Sequence, residues 1–161
     1  MGVAHFWKRV PGAAIDGRRP KELSDLVPYW FDPGFPAERD RGLLVGVLNT
    51  GDLIGTLLAF GAVGTGHEPA AGVVSGRPHD WDEEWTVGTI GVADVRQVAA
   101  FLLAAPFQQW AVRHHAPLAA EAESLGFDLE AADVVGGAER LAALFVAAAA
   151  HDQAVVVKVS A

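Results

Sequence analysis

Ala154-Val155-Val156-Val157-Lys158-Val159 is an apolar, valine-rich run broken by a single charge, and it predicts a strand at the end of the chain. Residues 2–10, Gly-Val-Ala-His-Phe-Trp-Lys-Arg-Val, are rich in β-branched and aromatic types and stop at Pro11-Gly12. They predict a second strand at the opposite end of the chain, with a turn after it. Between the two the dominant period is helical. Val92 to Ala105 carries apolar residues at 92, 95, 98, 99 and 102, which makes an amphipathic helix. Pro106 starts a helix to about His115, and Pro117 starts another that ends at Gly126, a natural residue for a helix terminus. Gly137 to Ala150 places Leu141, Leu144, Phe145 and Ala148 on one side, and Asp52 to Val63 reads as a buried helix. Trp85 to Ile90 alternates as a third strand, and Pro20 to Leu26 opens with proline as short helices do. Gly64 to Glu84 is loop-like, and Tyr29 to Pro36 is an ordered aromatic loop, too aromatic for a disordered linker. Strands at both ends around a helix-rich middle, without regular β-α-β alternation, predict an α+β fold. The terminal strands are expected to pair or lie near each other in one small sheet. Residues 1–161 are expected to form one domain, with no internal repeat or linker.

Composition narrows the function classes. The chain has 161 residues, 51% of them hydrophobic, and no cysteine. A chain of this size buries enough surface to need no disulfide or metal staple. Without cysteine there is no thiolate metal site and no cysteine nucleophile. The hydrophobic share is inflated by 29 alanines, which favour helices and add little apolar area. Leu43 to Gly66 is the longest weakly charged stretch, but Asn49-Thr50-Gly51-Asp52 divides it and six glycines interrupt it. A membrane-spanning helix needs about 20 predominantly apolar residues, so the halves are expected to be buried core. The first residues lack the apolar region of an export signal, and the expected location is the cytoplasm. The formal charge is −8, which argues against nucleic acid or anionic lipid as a partner. Residues 1–42 hold 7 basic and 6 acidic side chains, net +1, and residues 43–161 hold 5 and 14, net −9. The C-terminal part is therefore expected to offer any cationic protein partner an acidic surface, although solvated acids also simply aid solubility.

Three clusters carry chemistry-bearing side chains. His79-Asp80-Trp81-Asp82-Glu83-Glu84-Trp85 combines carboxylates and an imidazole, the groups that hard and borderline cations use, but it matches no recognised metal cage. Its acids are equally readable as solvated loop residues, while Trp81 and Trp85 suit a partner anchor or a pocket wall. In Phe107-Gln-Gln-Trp-Ala-Val-Arg-His-His115, helical spacing aligns Phe107, Trp110, Ala111 and His114, with His115 at the edge of the stripe. Trp110, His114 and His115 thus form a candidate pocket, with His114 as a ligand or general base, or else an ordinary core histidine. Gly61-Ala-Val-Gly64-Thr-Gly66 is neither a dinucleotide fingerprint nor a phosphate loop. None of the four serines occupies a G-x-S-x-G elbow, so no catalytic residue, metal ligand or cofactor is assigned.

Three pieces resemble one family. Met1-Gly-Val-Ala-His-Phe-Trp-Lys-Arg-Val-Pro11 is similar to the opening strand of YfbM-like bacterial proteins. Trp85-Thr-Val-Gly-Thr-Ile-Gly-Val-Ala-Asp-Val-Arg-Gln-Val-Ala-Ala-Phe-Leu resembles that family's strand-to-helix step. Leu141 to Val157 resembles its last helix and final strand. Where the family has Trp-x-x-Leu-His, this chain has Asp52-Leu-Ile-Gly-Thr-Leu-Leu, and no Tyr-Pro-x-x-Trp element stands near Asp133-Val-Val-Gly-Gly. The family has no assigned activity, so the resemblance implies an α+β fold and no site. The leading functional expectation is a cytoplasmic binding or interaction module without catalytic activity. One alternative is an immunity-type protein that neutralises a basic toxin through Asp82, Glu83 and Glu84. Another is a small metal-dependent hydrolase using His114 or the His79/Asp80 loop. Sequence leaves the oligomeric state open.

Overall fold

The computed structural model describes residues 2–79 and 85–160. In chain order its elements are β1 (Ala4–Pro11), α1 (Pro20–Asp25), α2 (Phe35–Asp40), β2 (Leu44–Leu48), α3 (Gly51–Ala62) and α4 (Glu68–Val73). There follow β3 (Arg77–His79), β4 (Trp85–Ile90), α5 (Val92–Ala104), α6 (Phe107–Arg113), α7 (His115–Ser124), α8 (Ala131–Ala150) and β5 (Gln153–Ser160). The strands form one sheet in the order β2-β1-β5-β4-β3, with every neighbouring pair antiparallel. The fold is α+β, and the two terminal strands pair along their full length, Ala4 opposite Ser160 through Pro11 opposite Gln153. β5 is central and covered on both sides, which is why its sequence shows a continuous valine run instead of alternation.

Alternation along the strands divides two cores between the two faces of the sheet. On one face, Trp7, Val45, Val47, Val155 and Val157 meet α3, α5, α6 and α8. On the other, Ala4, Phe6, Val10, Val87 and Val156 meet Leu23, Val27 and Phe35 from α1, α2 and their connection. The stretch Tyr29 to Pro36 is an ordered aromatic cap on this second face. Phe6 lies 4.8 Å from Trp30 and 6.1 Å from Phe35, ring centre to ring centre. Gly46 of β2 lets the Trp30 ring rest on the strand, because a Cβ there would stand 2.8 Å from that ring. Two lysines hold the C-terminal end of α1 by its backbone carbonyls. Lys8 Nζ donates to Leu26 O (2.7 Å), and Lys158 Nζ donates to Ser24 O (3.3 Å) and Val27 O (3.1 Å).

The buried-core expectation for Leu43 to Gly66 holds at Leu44, Val45 and Val47, which belong to β2, a strand that the residue pattern left unassigned. Two other expectations are corrected. Gly64 to His79 is not all loop: it contains α4 and β3, and the buried Trp7 indole donates to Val74 O (2.9 Å) to tie α4 to the sheet. The last helix starts at Ala131, six residues before Gly137, and runs through both glycines. Among the described residues no helix is long and apolar enough to cross a membrane.

Candidate functional site

The first candidate cluster lies at the β3–β4 connection. His79 ends β3, and its Nε2 is 3.0 Å from Thr89 Oγ1. Trp85 opens β4, edge-on to Tyr29 and with Lys158 Nζ 4.4 Å from its ring centre. Trp85 is thus a half-buried wall of the second core. Asp80, Trp81, Asp82, Glu83 and Glu84 lie outside the described residues, and with them the acidic contacts of the immunity reading.

In the second cluster, helical spacing holds for the apolar residues, but α6 ends at Arg113 and His114 falls outside it. Phe107, Trp110 and Ala111 are buried, with Trp110 beside Phe101 and Phe107 and closely apposed to Gly61 of α3. His114 sits at the bend between α6 and α7. Its N–H donates to Trp110 O (2.8 Å) and its carbonyl accepts from Leu118 (3.2 Å), so its backbone joins the two helices. The ring lies against Phe60, 5.6 Å away, and His115 is exposed.

His79 and His114 do not converge. Register places His79 in one row with Val87, Lys158, Phe6 and Gly46, all on the face that α1 and α2 cover. Trp110 and the α6–α7 bend belong to the core on the opposite face. The sheet therefore stands between the two imidazoles. Among the described residues no three His, Asp or Glu side chains gather closely enough to hold a metal ion.

His5 was not singled out by sequence. Its ring is buried beside Trp7, with Nε2 3.5 Å from Asp52 Oδ1, and its Nδ1 has no hydrogen-bond partner among the described residues. Burial lowers its pKa below the ordinary value of 6.5, and Asp52 opposes that shift in part. Among the described residues His5 thus has one charged neighbour, the partly exposed Asp52.

The concave feature with the most coherent chemistry lies along the outer edge of β2. A groove of about 610 Å³ runs there between α8 and the end of α2, and Arg9, Arg39, Arg41 and Arg140 line it. Its apolar wall comes from Leu44, Ala143, Leu144 and Ala147. A shallower stretch of about 270 Å³ continues it past Gly46 and Leu48 toward Gly136 and Asp133. Arg9 is held in place, with Nε donating to Gly42 O (3.0 Å) and Nη1 to Gln153 Oε1 (2.8 Å). Arg39 leans on Asp40 at 3.0 Å, an exposed pair of small energetic consequence. Arg41 and Arg140 are exposed. Among the described residues no carboxylate or imidazole lines the 610 Å³ stretch.

Sequence reasoning missed this site because its four arginines come from β1, the end of α2 and α8, and converge only at the sheet edge. The available signal was the net +1 of the first 42 residues inside an acidic chain, since three of the four arginines belong to them. Comparison of the chain with protein-family models, with curated proteins and with solved structures finds no match.

Proposed function

We propose that the chain is a binding module without catalytic activity, YfbM-like in family, that takes an anionic partner in the groove beside β2. The observation that carries the reading is four guanidinium groups around one apolar-walled stretch of groove that, among the described residues, is lined by no carboxylate, imidazole or hydroxyl. Arginine stays charged at any physiological pH and binds carboxylate or phosphate oxygens in pairs, but it cannot relay a proton there. Such a lining recognises anions and offers little to a hydrolytic reaction. The order of elements supports the family assignment. β1 enters a Val10-Pro11 step, β4 leads into α5, and α8 turns through His151-Asp152 into β5, as the resemblance implies.

Isothermal titration with tripolyphosphate at low ionic strength tests the reading. Binding should weaken roughly tenfold or more in an Arg41→Glu, Arg140→Glu double variant and as salt rises. Arg113→Glu, an exposed charge change on α6, should leave it unchanged. No binding, or equal loss in both variants, would overturn the assignment.

A further inference from the structure

We infer that the groove's partner is an extended acidic polypeptide segment that adds to the sheet as a sixth strand along β2. The inference rests on the proposed anion site and adds what the free strand edge demands. Arg9 N–H donates to Leu43 O (3.0 Å) and Asn49 N–H donates to Val3 O (2.8 Å) at the two ends of the β1–β2 ladder. In an antiparallel pair the bonded positions alternate, so Val45 and Val47 turn their amides and carbonyls toward β1. Leu44, Gly46 and Leu48 turn theirs outward, along the groove. Among the described residues nothing bonds the outward groups of Leu44 and Gly46, while Leu48 O accepts from Thr50 Oγ1 (3.0 Å) and closes the row.

Several features make this edge a pairing template. Leu44-Val-Gly-Val-Leu48 holds no charge and no proline, the usual means by which an exposed edge is protected. The opposite edge, β3, is three residues long with Pro78 at its centre. A bare phosphate or polyphosphate answers the arginines but supplies only acceptors, which leaves the outward carbonyls of Leu44 and Gly46 unmatched, whereas a small organic phosphate has no donors spaced along a strand. A polypeptide strand supplies donors and acceptors in alternation, as strand addition requires. β2 spans about 17 Å, enough for five or six residues of an added strand. Arg9, Arg39, Arg41 and Arg140 then select acidic side chains on that strand. The same four charges would repel a second copy of this chain docking edge to edge, because its own arginines would meet them.

The test uses the full chain and the hexapeptide acetyl-Glu-Val-Glu-Val-Glu-Val-amide, with amide hydrogen exchange followed by NMR. On saturation, the amides of Leu44, Gly46 and Leu48 should exchange at least roughly tenfold more slowly, while those of Val45 and Val47 hold their rates. The Lys-Val counterpart should have no effect, and the Arg41→Glu, Arg140→Glu variant should lose the protection. Tripolyphosphate should bind without slowing the outward amides. A hexapeptide that binds while these amides exchange as before would overturn strand addition and leave the anion site standing. If neither probe binds, both readings fall. Concentration-dependent protection of the same amides in the unliganded protein would replace the acidic partner by a second copy.

Discussion

Lys158 places an ammonium group inside a strand whose other residues between Gln153 and Ser160 are valine and alanine, and three contacts account for it. Its Nζ donates to Ser24 O and Val27 O and lies over the Trp85 ring. Burial pulls its pKa down, Asp32 and Asp25 oppose this, and Lys21 adds to the lowering. Methionine keeps the length and loses the donors. Lys158→Met is therefore expected to cost about 2 kcal/mol in urea unfolding, because two carbonyls at the end of α1 lose their charged partner. A variant as stable as the parent would show that water serves those carbonyls equally well. His5 carries the residue-scale pH dependence. Its folded pKa lies below 6.5, so between the two values the unfolded chain binds more protons than the folded one. The stability it contributes is complete above 6.5 and is lost as the pH falls through the folded value. Unfolding free energies at about pH 7 and pH 5 should thus differ more for the parent chain than for His5→Gln. Equal differences would remove His5 from the account.

Between elements, the contact of α3 with α6 depends on the absence of a side chain at one position. A Cβ on Gly61 would overlap the buried Trp110 ring, whereas one on Gly55 of the same helix meets nothing within 4 Å. Gly61→Ala is expected to destabilise by about 1–3 kcal/mol as the two helices are forced apart. Gly55→Ala should stabilise by about 0.5–1 kcal/mol through helix propensity and reduced freedom of the unfolded chain. Thermal denaturation of the pair checks both signs, and a loss at Gly55 or none at Gly61 would contradict the packing. The same elements show which features the sequence displays. α5 was legible because its buried Val95, Val98, Ala99 and Leu102 recur at helical spacing, and β1 and β5 because β-branched residues cluster and stop at turns. β2 was not legible. Its two faces are both apolar, and five residues are too few to tell strand from helix. α4 was hidden by composition, since Glu68-Pro-Ala-Ala-Gly-Val73 is one short helix held by its neighbours more than by propensity. The arginine groove was less legible still. Arg9 and Arg140 stand 131 positions apart in the sequence (140 − 9), and only the sheet edge brings them together.

At the scale of the whole molecule, the two strands at the centre of the sheet come from opposite ends of the chain. The pairing of β1 with β5 joins both cores, yet it closes a loop of about 150 residues, among the least favourable steps for an unfolded chain. Ala4 stands directly opposite Ser160, so a short Gly-Ser linker can join the two ends without disturbing the ladder. The Gly64-Thr65 bond offers a place to open the chain, because both residues are exposed and lie in the turn between α3 and α4, outside any helix or strand ladder. Joining the ends shortens the β1–β5 closure from about 150 residues to about 10, which lowers its entropic cost by about 2 kcal/mol. If that pairing forms in the folding transition state, the permutant should refold roughly tenfold or more faster than the parent. The change is not free of consequence elsewhere, since α3 and α4, neighbours in the parent, become the most distant packed pair. Stopped-flow refolding of both chains decides which closure limits the rate. A faster permutant assigns the slow step to the central strands, whereas an equal or slower one assigns it to the α3–α4 layer and contradicts the prediction.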